Sequence, residues 1–196
     1  MTEPFSNDSE RNRAPAPSPL ALLGVTLALL CALPTLASAQ VQVAGEGRIG
    51  VTFPTGDLSG DGAETGVALG AELMVNFQKN LTAYVSLNRH GFSCDRDCDA
   101  GRNPRSTGLG TGLTFILPGP PDAHGWVRGG LLAHQLSTDD GSGPRNLGFE
   151  LGTGIDRPVA PRLHLVPHLG VLSHDAGGGT TVTYLNFGLG IHYHFN

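Results

Sequence analysis

A period-two pattern limits what this chain can fold into more than any other feature. From Leu185 onward every odd position is large and apolar: Leu185, Phe187, Leu189, Ile191, Tyr193 and Phe195. The even positions between them are Asn186, Gly188, Gly190, His192 and His194. Successive side chains of an extended strand point to opposite faces, so the stretch from Thr181 to Phe195 has one oily face and one polar face. Seven earlier segments repeat the pattern. Val41 to Phe53 sets Val43, Ile49, Val51 and Phe53 against Gln42, Glu46, Arg48 and Thr52. Thr65 to Gln78 sets Val67, Leu69, Leu73, Val75 and Phe77 against Glu72, Asn76 and Gln78. Leu81 to Gly91, Thr107 to Leu117, Asn146 to Asp156 and Arg162 to His174 alternate in the same way. His124 to Ser137 is the least regular, because bulky Trp126, Arg128, Leu132 and His134 share the face opposite Val127, Leu131 and Ala133. A bulge near Trp126 is the expected remedy.

No segment carries a convincing helical period, so the fold class is all-β. The connections alternate in length. Residues 54–64, 92–106, 138–145 and 175–180 form long loops, whereas the others span two to six residues, with Lys79-Asn80 as a tight hairpin turn. Short turns at one end and long loops at the other, joined by strands of roughly ten residues, describe an eight-stranded antiparallel up-and-down transmembrane β-barrel. Lipid offers no partner for an open sheet edge, so the sheet must close. The polar face then turns into the lumen and the oily face toward lipid. Aromatic girdles are expected from Phe77, Phe115, Trp126, Tyr193 and Phe195 at the short-turn end, and from Phe53, Phe92 and Phe149 at the long-loop end.

The first 39 residues read as a cleaved signal peptide. Arg11 and Arg13 precede an apolar run from Leu20 to Leu33, and Ala37-Ser38-Ala39 supplies an A-x-A cleavage site. The apolar run is shorter than the ~20 residues of a spanning helix. Leu30 stands before Cys31 where a lipoprotein signal needs a small residue. Residues 40–196 form the second unit, a single barrel domain. Cleavage removes two arginines and three acidic residues, leaving 10 basic against 14 acidic and a net charge of −4. The basic residues are scattered, which speaks against nucleic acid as a partner. Cys94 and Cys98 alone remain, and in an exported chain a disulfide between them is expected.

The stretch 41–195 resembles the eight-stranded outer-membrane barrel family typified by the OmpA transmembrane domain and OmpX. Phe195 matches the aromatic close of such barrels, displaced one residue from the end by Asn196. The resemblance implies a small monomeric barrel in the bacterial outer membrane, with a packed lumen and a surround of membrane lipid and lipopolysaccharide. No peptidoglycan-binding domain follows, so the anchoring role of OmpA is not expected to carry over.

Buried charges must pair, and Glu46, Arg48, Glu72, Arg128 and Glu150 on the lumen face have the makings of an ion-pair network. Gly110, Gly112, Gly152, Gly188 and Gly190 leave room for these long side chains, so Gly188→Ser on the lumen side is expected to be mild, whereas Leu189→Arg on the lipid-facing side is expected to be costly. His90, His134, His164, His168, His192 and His194 share that face. The pairs His164/His168 and His192/His194 suggest metal ligation, but polar filling of the lumen is the reading taken. Asp95, Asp97 and Asp99 alternate as in a calcium loop, yet Ala100 replaces the required glycine and the twelfth-position glutamate is missing. Ser173-His174-Asp175 is similar at a glance to the His-Ser segment of the PagL deacylase family. Adjacent residues on a strand face opposite ways, however, and no later acid completes a triad. No residue is therefore assigned a catalytic, cofactor-binding or metal-ligating role. The expected function is structural or surface-interacting, not enzymatic, with extracellular ligands met at loops 54–64 and 92–106. The alternatives are a lipid A-modifying barrel enzyme and an exported, soluble lipocalin-like barrel with its faces inverted.

Overall fold

The computed structural model describes residues 41–60, 62–94, 103–120, 122–139, 141–177 and 180–195. The leader and Cys98 lie outside the described residues. Eight long strands form: β1 (Gln42–Thr55), β2 (Gly66–Gln78), β3 (Leu81–Gly91), β4 (Arg105–Ile116), β5 (His124–Thr138), β6 (Gly141–Ala160), β7 (Leu163–Gly177) and β8 (Thr180–His194). Each pairs antiparallel with its neighbour in the chain. The sheet closes where β1 meets β8, with a register running from Ala44 opposite His194 to Thr55 opposite Thr183.

The faces fall as the alternation requires. Leu131 is 64% exposed and the next residue, Leu132, only 1%. Around the barrel the outer surface carries Ile49, Leu69, Leu87, Leu113, Leu151, Leu169 and Leu189, all exposed. Inside lie Glu46, Glu72, Thr82, Asn88, Glu150 and the five histidines His90, His134, His168, His174 and His192, all buried. A lipocalin-like barrel would have an apolar interior. This one has the reverse, and an apolar belt of such extent is far from the surface of an ordinary soluble monomer.

Four expectations are corrected. The long loop at 138–145 is largely ladder: Ser137 pairs with Ser142 and Thr138 with Gly141, so β5 and β6 continue into a tall hairpin. The loop at 175–180 is shortened likewise, since Thr180 pairs with Gly177. The short turn expected at 157–161 shrinks because β6 runs on to Ala160. Finally, the bulge expected near Trp126 is absent. The inward face of β5 holds its alternation from Trp126 to His134, and the register shift falls between Gln135 and Ser137. Bulk alone made this strand look irregular. Two of the expected girdle residues are also displaced, because Trp126 is buried in the lumen and Phe92 is buried under the loops.

The two remaining long loops meet each other. Ala63 and Glu64 pair with Cys94 and Ser93 in a two-residue ladder outside the barrel sheet. A single helical turn, α1 (Asp57–Gly60), precedes it and is closed by the Gly60 amide donating to the Gly56 carbonyl at 3.0 Å. Gly56 and Gly62 flank the turn at φ of 59° and 83°, a region that suits glycine.

Candidate functional site

The lumen is filled in three layers. In the middle, an ion-pair chain crosses from wall to wall. Glu46 and Glu72 stand directly opposite in the β1–β2 register, a placement that would repel on its own. Arg48 joins them, donating to Glu46 and lying 2.8 Å from Glu72 through its Nη2. Arg128 takes the other oxygen of Glu72 at 3.0 Å and approaches Glu150 at 3.6 Å. The Tyr84 hydroxyl then donates to Glu150. All five charged side chains are at most 9% exposed. The predicted network therefore forms from the predicted residues.

Register explains how Tyr84 reaches so far. Tyr84, Gly112, Gly130 and Glu150 occupy one row across β3, β4, β5 and β6. The hydroxyl end of the phenol reaches over the two glycines, where a Cβ would stand 2.6 Å from it at Gly112 and 2.2 Å at Gly130. Trp126 rests on Gly154 in the same manner, 2.5 Å from where a Cβ would stand, with the Arg128 guanidinium 5.5 Å from the indole centroid. Glycine here is a space-maker for a neighbour's side chain.

Toward the long loops lies a buried layer of Thr52, His90, Ser106, His134, His174 and Tyr184. His174 donates through Nδ1 to the Asp175 carbonyl at 3.1 Å, which leaves its Nε2 to accept the Ser106 hydroxyl at 2.9 Å. Ser106 also meets His134 Nδ1 at 2.9 Å and the Tyr184 hydroxyl at 3.3 Å. Thr52 contacts His90 at 3.3 Å. Above this layer Leu58 from α1, Ala63 and Phe92 pack with Leu132, Leu172, Val182 and Tyr184 into an apolar cap. The Phe92 ring meets Tyr184 edge-on at 5.4 Å.

Toward the short turns lies the third layer, Asp156 with His164, His192 and His194. Asp156 accepts from Nδ1 of His164, and from Nδ1 of His192 at 3.1 Å. The three imidazoles are mutual neighbours, with ring centroids 4.4–5.6 Å apart. His168, expected to pair with His164, sits elsewhere: four residues along a strand is roughly 13 Å. It packs instead over Gly188, beside the middle layer.

Sequence reasoning missed Ser106 and Tyr184, which carry no motif and become neighbours only through the closed sheet. It named Asp156 as the end of an alternating segment and did not link it to a histidine. Its geometry for Ser173 and His174 holds: Ser173 turns outward to bond Thr183 at 2.9 Å while His174 faces the lumen. A serine–histidine contact does exist, between Ser106 and His174. But Ser106 is fully buried beneath the cap, and a backbone carbonyl, not a carboxylate, orients the histidine.

An antiparallel eight-stranded sheet closed on itself, polar and packed within and apolar without, is the architecture of small outer-membrane barrels. Among solved structures the chain is similar to Neisserial surface protein A, NspA, with a TM-score of 0.65 at 13% identity, covering 77% of this chain and 96% of that one. It is also similar to the outer membrane protein OprG from Pseudomonas aeruginosa, with a TM-score of 0.54 at 9% identity, covering 82% of this chain and 98% of that one. At these identities the likeness is one of fold. No family model and no curated protein matches the sequence.

Proposed function

We propose that this protein is a monomeric barrel of the bacterial outer membrane, exported by the leader at residues 1–39. Its lumen is closed, and its loops form a surface for contact with other molecules. The observation that carries this reading is the filled middle layer: the chain Glu46–Arg48–Glu72–Arg128–Glu150–Tyr84 bridges opposite walls. A void of about 20 Å³ remains among Arg48, His90, Arg128, Glu150 and His168, space for roughly one water. Water-filled porins use about 16–18 strands, whereas eight leave an interior that side chains fill. The apolar belt suits acyl chains, and the outer leaflet of such a membrane presents lipopolysaccharide. Extracellular ligands are met at loops 54–64 and 92–106, whose described parts the Ala63–Cys94 ladder ties together. The disulfide between Cys94 and Cys98 belongs to this reading as a staple of those loops.

The enzymatic alternative is disfavoured by burial. Ser106 and His174 sit within hydrogen-bond reach, but the apolar cap separates them from any lipid substrate. The test is reconstitution of the purified barrel into planar bilayers, alongside a lipid A hydrolysis assay. A silent bilayer and no turnover are expected. Steady, large conductance steps would overturn the closed lumen, and lipid A hydrolysis abolished by His174→Ala would overturn the non-enzymatic role.

A further inference from the structure

We propose that the short-turn mouth of the barrel is a binding site for one divalent transition-metal ion, zinc in the first instance, held by His164, His192 and His194. In the sequence these residues formed only a pair at i, i+2 and a distant third. The β7–β8 register sets His164 directly opposite His192, and His194 follows on the same inward face. One ring nitrogen from each residue then lies within 4.8 Å of the others. Zinc–nitrogen bonds of ~2.0–2.1 Å put tetrahedral ligands about 3.4 Å apart, so the rings need close by little more than an ångström. Side-chain rotation covers that distance without moving the backbone.

Two further features point to a ligand rather than to packing. Asp156 accepts the Nδ1 protons of both His164 and His192. That fixes each ring with its lone pair on Nε2, and a carboxylate behind a metal-ligating histidine is the usual outer support of such centres. Moreover, His192 is only 8% exposed, and its Nε2 is buried without a hydrogen-bond partner. Leaving a buried polar atom unsatisfied is costly, and a metal ion would satisfy it. Neutral imidazole donors favour zinc or copper over calcium or magnesium, which prefer oxygen. Three protein ligands leave a fourth position for water or a small anion. His164 and His194 are only partly buried, so an ion has a path in.

The test uses the full barrel without an affinity tag, refolded in detergent, stripped with chelator and loaded with zinc chloride. Elemental analysis and titration calorimetry should find one zinc per chain. Asp156→Asn should weaken binding about 10–100-fold, the range typical of an outer-shell partner. His164→Ala and His194→Ala should each abolish stoichiometric binding, and cobalt loaded in place of zinc should show the intense visible absorption of a tetrahedral centre. Unheated gel mobility reports whether each variant still forms the barrel. Should His192→Ala fail to fold, His194→Ala, partly buried near the strand end, decides the matter. Zinc absent from the wild-type barrel, or zinc retained in a folded His194→Ala barrel, would overturn the proposal.

Discussion

Leu131 and Leu132 are the same residue type, adjacent in the chain, and one faces outward while the other is sealed inside. What decides a substitution here is therefore the face, and then the neighbour across the sheet. Leu189 is 42% exposed on the outer belt, and Leu189→Arg should cost about 2–4 kcal/mol in a lipid bilayer, the range for arginine at the midplane. The sequence suggested that Gly188→Ser would be mild, and the structure reverses that. A Cβ at Gly188 would stand 2.7 Å from His168 Nε2 and 2.8 Å from the Ile49 carbonyl oxygen. The imidazole has room to rotate but the backbone of β1 does not, so overpacking of about 1–3 kcal/mol is expected. Urea titration of vesicle-refolded variants reads both. Glu72→Ala should be worse, because it strips the carboxylate that Arg48 and Arg128 share. Breaking one member of a buried ionic group typically costs about 3–5 kcal/mol. A Glu72→Ala barrel as stable as wild type would show that the network is not structural.

At the scale of elements, all eight strands were legible because alternation is a local signal that each strand carries by itself. Lys79-Asn80 was legible for the same reason, since a two-residue turn admits few conformations. The extensions of β5, β6 and β7 were hidden. Gly141 to Pro144 look like loop chemistry, yet the hairpin ladder pairs Gly141 with Thr138 and Ser142 with Ser137 and carries the strand through Gly143 and Pro144 across its register shift. The lumen was legible as a set of residues but not as an arrangement. Charges, histidines and glycines were assigned to the inner face correctly, while the rows that seat Tyr84 over Gly112 and Gly130 depend on register. So does the meeting of His164 with His192. Register is a property of pairs of strands, which a single strand does not display. The loop unit makes its own prediction. Protein alkylated without reductant should carry no label on Cys94 or Cys98 by mass spectrometry, and two labelled thiols would contradict the staple.

For the molecule as a whole, the same alternation serves two environments at once. Odd positions present leucine, isoleucine, valine and phenylalanine outward, and even positions build a polar interior that satisfies its own charges. Each half of the pattern needs the other, because an ion-paired lumen has no use for an apolar coat in water. The central claim is thus the polarity of the barrel: lipid outside, packed side chains inside. Nuclear Overhauser contacts from lipid acyl chains to the methyl groups of the wild-type barrel in nanodiscs test it most directly. The account predicts contacts at Leu131, Leu189 and Ile191, and none at Leu132, Val166 or Leu172, which are all at most 4% exposed. Contacts at Leu132 or Val166, or a Leu189 methyl with no lipid contact, would contradict it.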